Sequence, residues 1–346
     1  MIRSSKLSIA ESNINKLHSL SILTTEMTNV INLYIDILWS NQNFSSKFVD
    51  FKVDTWLSAR LQQCLGKQAL EIVKSQRQKK KKTKPNFTGT SFNLDSRFVD
   101  IQYDNRYFDL WIKLSSLGNG LFLKLPAHAH KQYNKYKDWN KNTSIRLLNR
   151  PTGYFIEVFF EKSEPEKKDT GTTVGFDIGY KELLVSSENK VYDTGLTKVY
   201  EKLSRKQQGS KSFKRSLRER DNLINQSINN IDLSTIKEIV VEDLKNVKKN
   251  SKGKISKKFN NKLQRWSYPK VLEKLSHLTE EAGIYFTKIN PAYTSQKCSN
   301  CGTVKKDNRK GKDYSCSVCG LEIDADYNAS INISRMGIYS SHTQIN

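Results

Sequence analysis

Acidic residues are in short supply in this chain. Its 346 residues hold 35 aspartates and glutamates against 58 lysines and arginines, a formal net charge of +23. An excess of that size repels itself unless a polyanion neutralises it, so nucleic acid is the expected partner and an anionic membrane the weaker alternative. Long apolar runs are also lacking, which excludes a transmembrane helix. The opening stretch Met1–Leu7 offers none of the apolar core expected of a signal peptide. No solenoid-type repeat is found. Cysteine is sparse, with five residues in no secretory context, so the thiols are expected to stay reduced. These features point to an intracellular protein. Its 36% hydrophobic and 10% aromatic content argues against wholesale disorder, and its length suits two or three domains.

The N-terminal half reads first as helix and then as strand. Residues 5–11 suit a short strand. Leu20, Leu23, Met27, Val30, Ile31, Tyr34 and Leu38 recur at intervals of three and four and predict an amphipathic helix from Ser12 to Trp39, with room for one break. Trp56, Leu57, Leu61, Leu65, Ala69 and Ile72 predict a second from Val53 to about Lys74, with Cys64 as a core thiol. The basic run from Arg77 to Pro85 is either a solvated loop or a phosphate-binding arm, and the charge balance favours the arm. From Asn86 the texture changes. Stretches at 98–103, 108–114, 121–125, 144–148 and 154–160 are β-branched and aromatic. Turns at 118–120 and 151–153 break them, and together they predict five strands of a small barrel. His128 and His130 find nothing nearby to complete a metal site and are read as structural or surface residues. The polar stretch Glu161–Thr170 is the expected domain boundary.

Beyond it, residues 172–338 predict the order β-β-β-α-β-α-β, a cysteine module and a last helix. Lys198 to about Asn229 reads as one basic helical region, followed after strand 236–241 by a basic, Asn-rich segment ending at Arg265. Cys298/Cys301 and Cys316/Cys319 are two C-x-x-C knuckles, near the spacing that closes four thiolates around one structural zinc ion. Gly302 and Gly320 follow each pair, where a knuckle asks for positive φ. Three acids also stand out: Asp177 in the first strand, Glu242 at the end of the fourth, and Asp326 at the start of the last helix. An aspartate flanked by Phe176 and Ile178 is costly to bury unless it is paired or binds metal. An acid at a helix start is, taken alone, usually a cap. Together the three match an RNase H-like site, where carboxylates hold a pair of Mg²⁺ ions, with Mn²⁺ as a substitute, for phosphodiester hydrolysis. Asp243 and Asp324 are adjacent candidates of lower rank.

Four stretches carry a resemblance. Gly175-Phe-Asp-Ile-Gly179, Val240-Val-Glu-Asp-Leu244, Tyr293-Thr-Ser-Gln-Lys-Cys-Ser-Asn-Cys-Gly302 and Asp324-Ala-Asp-Tyr-Asn-Ala329 resemble the signature set of the TnpB proteins. These are encoded by bacterial and archaeal insertion sequences and are related to compact type V CRISPR effectors. The resemblance covers about residues 170–338. It implies an α+β multidomain protein with an RNase H-like (RuvC) nuclease domain, an inserted zinc ribbon and an N-terminal wedge β-barrel bearing a helical recognition insert. The implied boundaries are 1–11 for the first wedge strand, 12–85 for the helical insert and 86–165 for the barrel. The nuclease domain takes 171–290 and 323–338, the ribbon 291–322, and the tail 339–346. The implied activity is Mg-dependent, RNA-guided cleavage of double-stranded DNA. Asp177, Glu242 and Asp326 carry over as the catalytic acids, the last because x-Asn-Ala follows it. The implied partners are a guide RNA from the protein's own element and a duplex target with an adjacent motif. No membrane partner is implied, and the setting is a monomer in the cytoplasm, nucleoid-associated, of prokaryotic or phage origin. Ala325 and Ser330 depart from the usual third motif, and no specific motif marks the N-terminal half. The competing readings are a guided DNA-binding regulator that does not cut, a DDE-type transposase, and a simple zinc-ribbon RNA-binding protein.

Overall fold

Asn13 starts the first long helix: its side chain accepts the Lys16 amide at 3.0 Å, satisfying a donor that would otherwise be orphaned. Helix α1 (Ile14–Ser40) then runs without a break. Helix α2 (Ala59–Arg77) begins later than its apolar spacing suggests, because the Ser58 hydroxyl caps it through the Leu61 amide. In this computed structural model the described residues are 1–41, 49–80, 82–104, 107–193, 195–244 and 266–338. Lys81 of the basic run, the Asn-rich segment at 245–265 and the tail at 339–346 lie outside them. The chain forms two compact units, Met1–Ser163 and Glu164–Asn346.

In the first unit, β1 (Ile2–Ser8), β2 (Ser91–Asp95), β6 (Asn140–Arg150) and β7 (Gly153–Glu161) make an antiparallel sheet in the order β1-β7-β6-β2. Strands β3 (Val99–Tyr103), β4 (Leu110–Leu114) and β5 (Leu123–Ala127) make a second antiparallel sheet. The expected strands therefore pair as two sheets. β2 and the short helix α3 (Lys131–Tyr136) were not anticipated. Pro126 sits in β5, an edge strand, where its missing N–H breaks no ladder. One core joins α1, α2 and both sheets, with Leu20, Met27, Leu61, Phe92, Ile112 and Phe160 among its buried members. His130 bonds the Lys6 carbonyl at 3.0 Å, and His128 pairs with Asp109 at 3.1 Å.

The second unit is built on a five-stranded sheet ordered β10-β9-β8-β11-β12. These are β8 (Thr172–Asp177), β9 (Leu184–Ser186), β10 (Val191–Tyr192), β11 (Ile236–Glu242) and β12 (Tyr285–Ile289). The first three pair antiparallel, while β8, β11 and β12 run parallel. The expected single basic helix is two, α4 (Leu196–Ser204) and α5 (Lys211–Asn229), because Ser210 caps a fresh start through the Phe213 amide. They pack with α6 (Tyr268–Glu281) on an apolar core that includes Phe176, Ile239, Ile224 and Leu275. The last helix, α7 (Ala325–Arg335), lies against β8. Gly175 permits this approach: a Cβ there would sit 2.3 Å from the Ser330 carbonyl oxygen. Between β12 and α7 comes the cysteine module, whose strands β13 (Arg309–Lys310), β14 (Asp313–Ser315) and β15 (Glu322–Asp324) form a small antiparallel sheet.

Candidate functional site

Parallel pairing of β8 and β11 matches Phe176 with Val241. The next residue on each strand, Asp177 and Glu242, is the last of its strand, so two carboxylates leave the sheet side by side at its carboxyl edge, where ligands gather in α/β sheets. Asp326 lies one helical turn before Ser330, the residue that meets Gly175. All three acids line one cleft of about 550 Å³, with Glu182, Thr294, Arg309 and Lys312 on its walls. Asp243 and Asp324 do not line it. Asp324 instead caps α7, accepting the amides of Asp326 and Tyr327 at 2.9 Å each.

Burial, and then the negative charges of Asp326 and Glu242, push the Asp177 carboxyl up to about 8, with Arg309 opposing. Burial also raises Glu242, against a hydrogen bond from the Thr294 hydroxyl and the charge of Arg309. The backbone at Glu242 is held as well. The Tyr268 hydroxyl on α6 donates to the Glu242 carbonyl and accepts the Leu244 amide at 2.8 Å. Asp326 meets two cations from the cysteine module: Arg309 Nη2 at 2.7 Å from one oxygen and Lys312 Nζ at 2.7 Å from the other. Lys312 also bonds Glu182. These partners were not singled out from sequence. Arg309 and Lys312 belonged to an undifferentiated basic loop, and only the β13–β14 turn aims them at the cleft. Tyr268 sits 26 residues from Glu242 and carried no motif.

The four cysteines converge. Their sulfurs all lie within 4.8 Å of one another, and Cys298–Cys319 and Cys301–Cys316 are each 3.6 Å apart. Thiolates at ~2.3 Å from a central tetrahedral zinc would stand slightly farther apart than this, so the donor set and its spacing fit one zinc ion. The two knuckles repeat one another. Cys298 N donates to Thr303 O and Cys316 N to Leu321 O, both at 2.8 Å, while Gly302 and Gly320 fold back at φ 76° and 71°. Burial pushes Cys298 up to about 11, while the Thr303 hydroxyl and backbone draw Cys301 down to about 6. A metal would be needed to hold all four as thiolates. Among the described residues, no other set of His, Cys, Asp and Glu ligand atoms closes this tightly. The oxygens of Asp177, Glu242 and Asp326 stand in a looser arrangement, with cations on Asp326.

Helix α7 also ties the module to the sheet. The Asn328 side chain accepts the Ser299 amide at 2.9 Å and donates to Lys297 O at 2.8 Å. Asn332 donates to Thr294 O and Lys297 O at 3.0 and 2.7 Å, and Arg335 bonds Ser299 O. One face of the helix that carries Asp326 in its first turn thus grips the first knuckle.

Residues 268–333 match the family model described as the Cas12f1-like TNB domain. The CRISPR-associated endodeoxyribonuclease Cas12f1 of Sulfoacidibacillus thermotolerans is 43% identical over 97 residues, 28% of this chain and 21% of that protein. A TnpB-like protein of Aquifex aeolicus is 36% identical over 107 residues, 30% of this chain and 34% of that protein. These matches span only a fifth to a third of the relatives' length. A solved Cas12f1–sgRNA–target DNA complex shares the fold at a TM-score of 0.59 and 14% identity, over 93% of this chain and 83% of that one. The fold is therefore mixed α/β and similar to that of the solved Cas12f1. Over the stretches matched, the chain is similar to Cas12f1 and to TnpB-like proteins. Among the described residues, no helix is long and apolar enough to cross a membrane.

Proposed function

We propose that the protein is an RNA-guided DNA endonuclease of a transposable element. The observation that carries this reading is the meeting of Asp177, Glu242 and Asp326, from β8, β11 and α7, in one cleft of a fold shared with a guide- and target-bound nuclease. The order β10-β9-β8-β11-β12 suits an RNase H-like core. In the first unit, α1 and α2 are read as the recognition insert and the two sheets as the wedge barrel. The hard oxygen donors suit Mg²⁺, or Mn²⁺ in its place, and Asp177, Glu242 and Asp326 would hold it. Bound there, it would supply charge neutralisation and an activated water. The residues' own work is to keep three carboxylates at one phosphate. Tyr268 and Thr294 fix Glu242, and α7 presents Asp326. Water adds to phosphorus, the bond to the 3′-oxygen breaks, and that oxygen leaves with a proton. Base pairing to the guide, rather than side chains, would read the target. A monomer working on the nucleoid in the cytoplasm fits this role.

The test is direct. RNA co-purifying with the protein is sequenced, and the complex is assayed on a matching duplex with Mg²⁺. The expected result is a defined RNA with a variable 3′ guide, cleavage by the native protein, and loss of cleavage by at least about a thousandfold in Asp177→Ala. A protein free of RNA, or an Asp177→Ala variant that cuts as well as the native chain, refutes the reading.

A further inference from the structure

Among the described residues, four that are not glycine hold positive φ: Ser116, Asn119, Asn189 and Tyr293. Serine and asparagine are small or bond locally in that region. A tyrosine there is an outlier, and such strain persists where the surrounding structure over-determines it. Tyr293 has φ 66° and its side chain is 63% exposed. Burial therefore does not explain why an aromatic occupies a position that asparagine or glycine would fill with less strain.

The turn around it is tightly tied. Asn290 accepts the Ala292 amide at 3.0 Å, and the Tyr293 carbonyl accepts the amides of Gln296 and Lys297 at 3.0 and 2.9 Å. Its neighbours face the cleft: Pro291, Thr294 and Ser295 line it, and Thr294 bonds Glu242. The left-handed residue is therefore the last backbone step before the group that fixes an acid, it stands in sequence between residues that line the cleft, and its ring is exposed. Among the described residues the ring has no aromatic or cationic partner. It sits in a chain with net charge +23. An exposed aromatic beside a cleft that also presents Lys181, Arg309 and Lys312 suits a nucleobase, because every base offers a π-face for stacking whatever its sequence.

We propose that Tyr293 is a stacking residue for one unpaired base of the strand whose phosphate enters the acid cleft. This rests on the nuclease reading of that cleft. It assigns this turn a ligand of its own, an unstacked base next to the reacting phosphate.

The test uses the full zinc-loaded chain without added Mg²⁺, with a single-stranded oligodeoxynucleotide carrying 2-aminopurine, whose fluorescence falls on stacking. The native protein and Tyr293→Phe are expected to quench the probe and to bind with similar affinity. Tyr293→Asn is expected to leave it bright and to bind about tenfold more weakly, while its melting temperature stays equal or rises because the backbone strain is relieved. That opposition separates a ligand-binding role from a structural one. If Tyr293→Asn quenches and binds like the native chain, or loses binding only together with its melting temperature, the proposal is wrong. If Tyr293 governs quenching but the native complex cuts no duplex, the stacking assignment stands and the nuclease reading falls.

Discussion

Asp177 ends its strand with two other carboxylates for company, and burial alone disfavours its charge. Its raised pKa, about 8 against an ordinary 3.8, sets a sign. A carboxyl raised in the folded protein is favoured there as the neutral acid. With no cation in the acid cleft, this contribution to stability is therefore fully present below the ordinary value and is lost as pH climbs toward about 8. Glu242 shifts in the same direction. With zinc bound and no Mg²⁺ added, the native protein should melt at a lower temperature at pH 8 than at pH 6. Asp177→Asn should remove most of that difference and melt several degrees higher at pH 8, as scanning calorimetry would show. Equal pH slopes for the two proteins would mean that Asp177 does not carry the strain. The acid itself was readable in the sequence because Phe176 and Ile178 flank it. Its neighbours were not. Arg309 and Lys312 lie 17 and 14 residues before Asp326, at no helical or strand period, and only a hairpin turn brings them back.

At the scale of the element, the cysteine module and α7 act together. The knuckle pattern was plain from spacing, since two C-x-x-C pairs with following glycines leave little freedom. The grip of Asn328, Asn332 and Arg335 on that knuckle was less plain. Their i, i+4, i+7 spacing marks a helix face, but a polar face reads as solvent until its partner is known. β2 and α3 escaped for a related reason. Ser91-Phe-Asn-Leu-Asp95 alternates over only five residues amid turn-forming types, and α3 buries just Tyr133 and Tyr136. Metal analysis should find one zinc per chain. Cys316→Ser should bind little or none and melt well below the native protein, since a structural zinc contributes roughly 10 kcal/mol or more. A native protein without zinc, or an unchanged Cys316→Ser melt, would remove the metal from this account.

For the whole molecule, charge is the dominant fact. Residues such as Lys211, Lys214, Arg215 and Arg218 follow one another along α5, and 58 basic residues stand against 35 acidic ones. On the proposed reading, affinity for RNA and DNA should come chiefly from phosphate contacts and the release of counter-ions. Filter binding between 50 and 200 mM salt should show affinity falling by roughly a hundredfold or more. A nearly flat salt response would point to recognition through something other than the backbone.

The pairing of Arg309 and Lys312 with Asp326 has a thermodynamic consequence. These two side chains are internal counter-ions, and they cannot neutralise the aspartate and an incoming phosphate at once. A divalent cation that reaches Asp326 must displace them, and a phosphate that captures them uncovers the carboxylate. On the nuclease reading of the cleft, each ligand would then make room for the other, and metal and nucleic acid would bind with positive linkage. Such a site would stand idle until a strand entered it.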